Sequence, residues 1–529
     1  MTELQTESQP VVSLPRSPTE RWSILVACCL ASSARFLQPP LWIFRPPDVQ
    51  PFDAAWNDFR LISSVSGILL IVFLLVGGVL GDLYGRRRFW LIGLIGFAAS
   101  NLLLLISPSP GWHLTLRFCS LVFGSLFAPL ILATLNITFT DRSRPIAFAS
   151  FTVVNAIAIQ VAWLQGQFLI EWWGWRAAFI LPIALTFVAY RWAVRYVPES
   201  RAGGQRQFDL WIFSGWTLLI LAVVYGVLVI PVASDFWWLV VGAALLVGIT
   251  GAALIYWWDM RITKMLLRRR SFRTRELAAL IITGAVINFM LIGFGMRTMN
   301  LFQVVYSMSA VVAVIALAPM LVGLLAAVYL FLRAMRQYQA RAIVAGGLVV
   351  MAVAMSGAAL LPVYAPYWLF ILPLFLFGVG YLVASTIWTS AFLRTAVAQH
   401  YGVNAAINSA TSTIGLAVGS ALTGSLLARL GLELYRERVG AANLTVAELL
   451  EVATSLQALM LAEPADVAVI SEHLHFDLLA GYQEVYAIAY SQVLWLMVVF
   501  CFITALIIGF GLRRSLKATL PHEEELSAV

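Results

Sequence analysis

The chain reads as an all-α polytopic membrane protein. Three observations carry that reading. Hydrophobic residues make up 61% of its 529 residues and charged residues 11%, where a soluble domain carries about 25% charged. The apolar residues gather into fourteen runs, each of the order of the roughly 20 residues that a membrane-crossing helix needs. The basic residues fall mainly in alternate connections between those runs, as orientation by cytoplasmic positive charge requires.

Residues 1–21 are polar, carry Pro10, Pro15 and Pro18, and lack the apolar core of a secretory signal; a cytoplasmic tail is expected there. Apolar runs follow at 22–44, 59–81, 89–107, 114–138, 147–170 and 176–197, so 22–200 is expected to form a six-helix bundle. Runs at 210–230 and 236–257 occupy 201–276, which ends in a basic connection from Arg261 to Arg275. Runs at 277–296, 309–332, 342–362, 367–392, 403–428 and 489–512 give a second six-helix bundle over 277–512, followed by a cytoplasmic tail at 513–529. Segment 431–488 is long, acidic and expected outside. In it Thr445-Val446-Ala447-Glu448 has the form of a capping box before an apolar face of Leu449, Leu450, Val452, Leu456, Leu459 and Met460, which suits short surface helices in a solvated insert.

Of the 34 Lys and Arg, twenty-five fall on the set of connections that shares a side with both termini. Seven, including Arg176 and Arg297, fall on the other set, and Arg35 and Arg117 lie inside runs. The bias places both termini in the cytoplasm of a bacterial inner membrane. It also explains a pI of about 9.5 without nucleic acid as a partner. Cys28, Cys29, Cys119 and Cys501 all stand in apolar runs and offer neither a disulfide framework nor metal-ligand spacing. His473 and His475 are two apart, and two ligands make a weak metal site. The sequence contains no phosphate loop, nucleophile elbow or metal cluster, so no enzyme and no cofactor are expected.

Between the second and third runs stands Gly77-Gly78-Val79-Leu80-Gly81-Asp82-Leu83-Tyr84-Gly85-Arg86-Arg87-Arg88. Two helices must reverse there within a few residues, and Gly85 can take backbone angles closed to other residues. The stretch resembles the cytoplasmic signature loop of the major facilitator superfamily of transporters, roughly Gly-x-Leu-Ala-Asp-Arg-x-Gly-Arg-Arg-Arg. Pro198-Glu199-Ser200 is similar to the motif that closes that family's N-terminal bundle. The layout resembles the fourteen-helix drug:proton antiporter branch, with helices 7 and 8 inserted between two six-helix bundles. In pattern the resemblance runs from about residue 22 to 512, and in motif over the first 200. It implies a major facilitator fold whose bundles are related by a pseudo-two-fold axis, with helices 7 and 8 outside the central cavity. It further implies that Gly78, Asp82, Gly85, Arg86 and Arg87 form a conformational gate. Asp82 would approach the start of helix 13 near Gly402-Val403-Asn404 in the outward-facing state.

Departures from the family pattern are as informative. Where the branch carries an acid in helix 1, this chain reads Leu37-Gln38-Pro39-Pro40, and glutamine does not titrate. In helix 4, Arg117 and Pro129 keep the family separation, while Ser120 and Leu121 replace Gln-Gly. In helix 5 the outer turn Trp175-Arg176-Ala177-Ala178-Phe179 is kept, but Gly-Pro-x-x-Gly-Gly becomes Ala162-Trp163 and Gly166-Gln167. No run holds Asp or Glu away from its ends, although a buried carboxylate is the usual proton carrier. Asp58 and Glu171 near the outer ends are the nearest substitutes for proton coupling, and each also reads as an interfacial charge.

Arginines inside a membrane are costly and face a polar cavity when they persist. Arg35 falls near mid-membrane at ~1.5 Å rise per residue; it lines the cavity, or it snorkels or pairs with backbone carbonyls. Arg117, which matches a family arginine, lines the cavity or bonds a neighbouring helix. With Gln38, Asn155, Gln160, Asn288 and Tyr381 they are the candidate cavity residues, although buried polar residues also hold helices together. The residues suit a small-molecule substrate that is anionic or amphipathic, moved across the lipid bilayer by alternating access and most simply exported. The eroded helix 5 motif and the missing acid leave a second reading, a transporter-derived membrane sensor or assembly protein that no longer cycles.

Overall fold

The computed structural model describes residues 17–38, 70–107, 110–139, 143–201, 274–337, 339–394, 401–440 and 478–511. Local chemistry sets each helix end. Helix α1 (Pro18–Phe36) starts at Ser17, whose side chain accepts from the Glu20 N–H while the Glu20 carboxylate accepts from the Ser17 N–H. This capping box begins the helix inside the expected tail. It stops at Phe36, with Leu37 as its cap, just before Pro39 and Pro40, which cannot continue helical hydrogen bonding. Helix α2 (Leu70–Tyr84) ends at Gly85, whose φ of 113° reverses the chain into α3 (Arg86–Leu105). Helix α4 (Pro110–Thr138) contains Pro129, α5 spans Ser143–Trp173, and a 3-10 turn at Trp175–Phe179 leads into α6 (Ile180–Tyr196).

In the second half, α7 spans Thr274–Val304. The expected tenth helix is two pieces, α8 (Ala310–Ile315) and α9 (Ala318–Gln337). Then come α10 (Ala340–Ala359), α11 (Trp368–Arg394), α12 (Tyr401–Gly440) and α13 (Leu478–Gly511). Helix α12 thus carries its run through 431–440, and α13 starts at 478, so both ends of the expected outer segment are helical. Its capping box at Thr445 lies outside the described residues, as do His473 and His475, the runs at 210–230 and 236–257, and the C-terminal tail. Among the described residues ten helices are long and apolar enough to cross a membrane. Their outward residues, such as Ile95, Leu103, Val353, Leu372 and Val499, are large, apolar and exposed, as a lipid-facing surface must be.

Helix adjacency repeats between the halves. In the first half, α1 packs on α4, α5 and α6, and α3 packs on α4 and α6. In the second, α7 packs on α11, α12 and α13, and α10 packs on α11 and α13. Second-to-fourth contacts match too. A methyl on Gly77 of α2 would enter the Leu126 carbonyl of α4, and one on Gly378 of α11 would enter the Met320 carbonyl of α9. Without a hydrophobic drive between helices in lipid, such close backbone approach is what holds them.

The halves meet along α5, where Val153 packs with Leu324, Ala327 and Leu382, and along α4 against α12. The end of the molecule where α2 meets α3 is called the Asp82 end below. Because the Gly323 and Gly378 contacts are to backbone, Gly323→Ala and Gly378→Ala should each cost about 1–3 kcal/mol, the usual penalty of overpacking. Melting of the purified protein in detergent checks this. Gly346→Ala, which meets nothing within 4 Å, should not lower the melting temperature.

Candidate functional site

The two halves exchange hydrogen bonds at the Asp82 end. Asp82 sits in the last turn of α2, just past the second apolar run, and is 3% exposed. Its Oδ1 accepts from the Gly402 N–H at 2.9 Å and its Oδ2 from the Val403 N–H at 3.0 Å. These are free donors of the first turn of α12, where the helix dipole favours a negative charge. Arg86, 1% exposed, donates to Asp82 Oδ1 from Nε at 2.9 Å and Nη2 at 2.7 Å. It also stands 5.9 Å from the Tyr401 ring centre. Burial pushes the Asp82 carboxyl up from its ordinary value, while Arg86 and the Val403 and Gly402 N–H groups pull it down.

Glycine makes the approach possible. A methyl on Gly78 would lie 2.5 Å from the Gly402 oxygen and 2.6 Å from Ala406 Cβ, and one on Gly402 would lie 2.5 Å from Asp82 Oδ1.

Glu199 orders the loop from behind. Its Oε1 accepts from the Arg87 N–H at 3.1 Å and its Oε2 from the Arg88 N–H at 3.2 Å, capping the start of α3. The Arg86 N–H donates to the Ser200 oxygen at 2.9 Å, and Arg87 Nη2 donates to the Val194 oxygen at 2.5 Å. A methyl on Gly85 would meet Glu199 Oε1 at 2.9 Å. The signature loop and the Pro-Glu-Ser motif, separate landmarks in sequence, are one structure. Glu199 and Ser200 were not singled out as site residues. The signal for Glu199 was a carboxylate fixed after a proline at a helix end.

The interior candidates divide. Arg35, half-buried, crosses α4 at Gly124, where a methyl would lie 3.5 Å from its Cδ, and its guanidinium stands 4.5 Å from the Phe36 ring centre. Among the described residues it makes no ion pair. Gln38 turns into the first bundle and meets α4 at Ser120, one turn from Gly124. Its Nε2 donates to Asn101 Oδ1 at 2.6 Å and Ser120 Oγ at 2.5 Å. Asn101 Nδ2 donates to Ser120 Oγ at 3.0 Å, and Gln165 Nε2 donates to the Leu37 oxygen. Arg117 is half-buried near the far end of α4, 5.8 Å from the Phe179 ring centre.

Asn155 and Gln160 are half-buried on α5, and Tyr381 packs with the apolar seam between the halves. Asn288 is buried and donates to its own helix at the Gly284 oxygen, 2.8 Å away, so one of its two amide N–H groups is spent on backbone. Arg297, assigned by sequence to the outer connections, is buried in α7 because that helix runs on to Val304. Asp58 lies outside the described residues; Glu171 falls in α5, and its side chain is not among those described. No group of three or more His, Cys, Asp or Glu stands together among the described residues.

A family model described as Major Facilitator Superfamily matches residues 23–420. The chain belongs to the Major Facilitator Superfamily. It is therefore a membrane transporter of small molecules and not an enzyme. Among its relatives is the multidrug resistance protein Stp of Mycobacterium tuberculosis, 25% identical over 72% of this chain and 71% of that protein. The multidrug efflux pump LfrA of Mycolicibacterium smegmatis is 25% identical over 78% of this chain and 82% of its own. The tetracenomycin C resistance and export protein of Streptomyces glaucescens is 23% identical over 84% and 83%. The crystal structure of the human organic anion transporter MFSD10 superposes with a TM-score of 0.58 at 14% identity, covering 92% of this chain and all of the other. That likeness supports the fold. The family also separates the two functional readings left by the sequence, in favour of transport.

Proposed function

We propose that this protein exports amphipathic organic small molecules across a bacterial inner membrane by alternating access, with both termini and the Asp82 end in the cytoplasm. Export follows the printed functions of the bacterial relatives, and orientation follows the arginine bias of the sequence. The observation that carries the mechanism is the bond pattern of Asp82, held by Arg86 and seated on the first N–H groups of α12. It joins the bundles on the cytoplasmic side, which is the outward-facing arrangement. Opening inward requires that carboxylate to leave α12. Gly78, Asp82, Gly85, Arg86 and Arg87 are then the gate, with Glu199 as its support.

In Asp82→Asn the buried Arg86 loses its counter-charge, a change that typically costs about 3–5 kcal/mol in the state that buries it. The inward-open population should rise and the export rate should change, read by distance measurements across the Asp82 end and by efflux from cells. Unchanged populations and rates would remove the gate assignment.

Arg35, with Arg117, is the reading's charged element for substrate. The half-buried guanidinium of Arg35, which makes no ion pair among the described residues, suits a ligand carrying negative charge or hydrogen-bond acceptors, and solvates poorly otherwise. Asn155 and Gln160 of α5 and Tyr381 on the seam are further, neutral candidates. Fluorescein, an anion, should be exported in preference to methyl viologen, a dication. Arg35→Ala should lower fluorescein binding by about tenfold or more, the scale of a lost charged hydrogen bond, at unchanged melting temperature. Equal binding by a well-folded variant would end the anionic-substrate reading.

Coupling stands apart. The position where antiporters hold an acid is occupied here by an amide tied into a neutral network with Asn101 and Ser120. Transport in proteoliposomes should be insensitive to a pH gradient, or depend on Asp58 or Glu171. A strong gradient dependence that survives Asp58→Asn together with Glu171→Gln would mean that the coupling site lies elsewhere.

A further inference from the structure

A second cross-bundle hydrogen bond lies near the Asp82 contact, at the opposite kind of helix end. The last four carbonyls of a helix lack partners within it. Helix α11 ends at Arg394, so the carbonyls of Phe392 and Leu393 are among them. Phe392 is served from its own bundle, where Asn404 Nδ2 donates at 3.3 Å. Leu393 is served from the other bundle: Asn136 Nδ2, in the last turn of α4, donates to its oxygen at 3.4 Å. Asn136 is 2% exposed, and its turn is fixed by Arg144, which donates to the Asn136 oxygen at 3.0 Å and the Phe139 oxygen at 3.1 Å. The other half of the Asn136 amide is unsatisfied, since its Oδ1 is buried with no hydrogen-bond partner.

We propose that Asn136 is a second latch of the closed state, acting with Asp82 and built to release. The proposal rests on the reading of the Asp82 end as the closed side of an alternating-access cycle. The two latches hold the two ends of one junction. Asp82 of α2 puts a negative group on the positive start of α12, and Asn136 of α4 puts a neutral donor on the negative end of α11. The bond at 3.4 Å is long, and a buried acceptor left unpaired costs about 1–3 kcal/mol. That cost falls on the closed state alone if separation of the bundles brings water to Oδ1 and to the Leu393 carbonyl. Asn136 thereby joins the bundles without fixing them.

The test is hydrogen exchange of full-length protein in nanodiscs, read on the peptide covering 401–410, with Asn136→Asp, Asn136→Leu and Asp82→Asn beside wild type. Asn136→Asp sets a carboxylate against a carbonyl at the negative helix end and should speed exchange there by on the order of tenfold, the scale of a lost and reversed hydrogen bond. Asn136→Leu removes the bond without adding charge and should speed it by about threefold. Exchange over 343–355 and the melting temperature should stay as in wild type. Should Asn136→Asp not fold, Asn136→Leu decides. If both Asn136 variants match wild type while Asp82→Asn exchanges faster, the second latch is wrong and the Asp82 reading stands. If all three match wild type, both readings fall. Faster exchange throughout the molecule would assign Asn136 a structural role and overturn the proposal.

Discussion

Everything at the Asp82 end depends on one burden, the burial of an ion pair between two bundles. Asp82 and Arg86 are both almost fully withdrawn from solvent, and desolvation of such a pair can outweigh its attraction. What offsets the cost is organisation that already exists. Two N–H groups of α12 point at the carboxylate because the first turn of any helix leaves them free. Glycine at 78 and 402 removes the side chains that would hold the backbones apart. Gly85, with its positive φ, and Glu199, capping α3, fix the turn that delivers Arg86. Remove any part and the charge pair remains buried with fewer partners.

The interior of the first bundle takes the opposite course. Gln38, Asn101 and Ser120 form a closed neutral network, and Gln165 answers the Leu37 carbonyl where α1 stops. Two residues that depart from the antiporter pattern, Gln38 in place of an acid and Ser120 in place of glutamine, are in direct contact. The substitutions are complementary: the amide needs an acceptor, and the smaller serine provides one within reach. A satisfied network of this kind rigidifies its surroundings and has no group that titrates near neutral pH.

Much of this architecture was legible in the sequence because apolar length and the place of arginine are local properties. The signature loop was legible for the same reason, with its residues contiguous and its bend demanding glycine. Other partners were hidden by distance along the chain. Glu199 meets Arg87 across 112 residues, Asn136 meets Leu393 across 257, and Asp82 meets Gly402 across 320. Facing was hidden too. Helices such as α5 and α11 are apolar on every side, so no stripe tells a cavity residue from one that turns inward. Asn288 was a candidate by type alone, yet one of its two amide N–H groups goes to Gly284 one turn back. Arg297 was misplaced for a related reason: α7 runs past the apolar stretch that marked its end.

The two kinds of contact explain why a transporter of this build can move at all. Within a bundle, helices are held where glycine meets a carbonyl directly, as Gly378 meets Met320 and Gly415 meets Ala285. Water cannot replace such contacts, and lipid tails, which do not fit between backbones this close, replace the lost packing poorly. Between bundles at the Asp82 end glycine also meets a carbonyl, Gly78 against Gly402, but there the contacts further include a carboxylate, two helix-end N–H groups and an asparagine on a helix-end carbonyl. Each of those groups is one that water satisfies nearly as well as protein does. The free energy of separating the bundles there is therefore a small difference between large terms, while that of separating helices within a bundle is not. On the alternating-access reading proposed above, motion is confined to the junction by the chemistry of what is buried on each side of it.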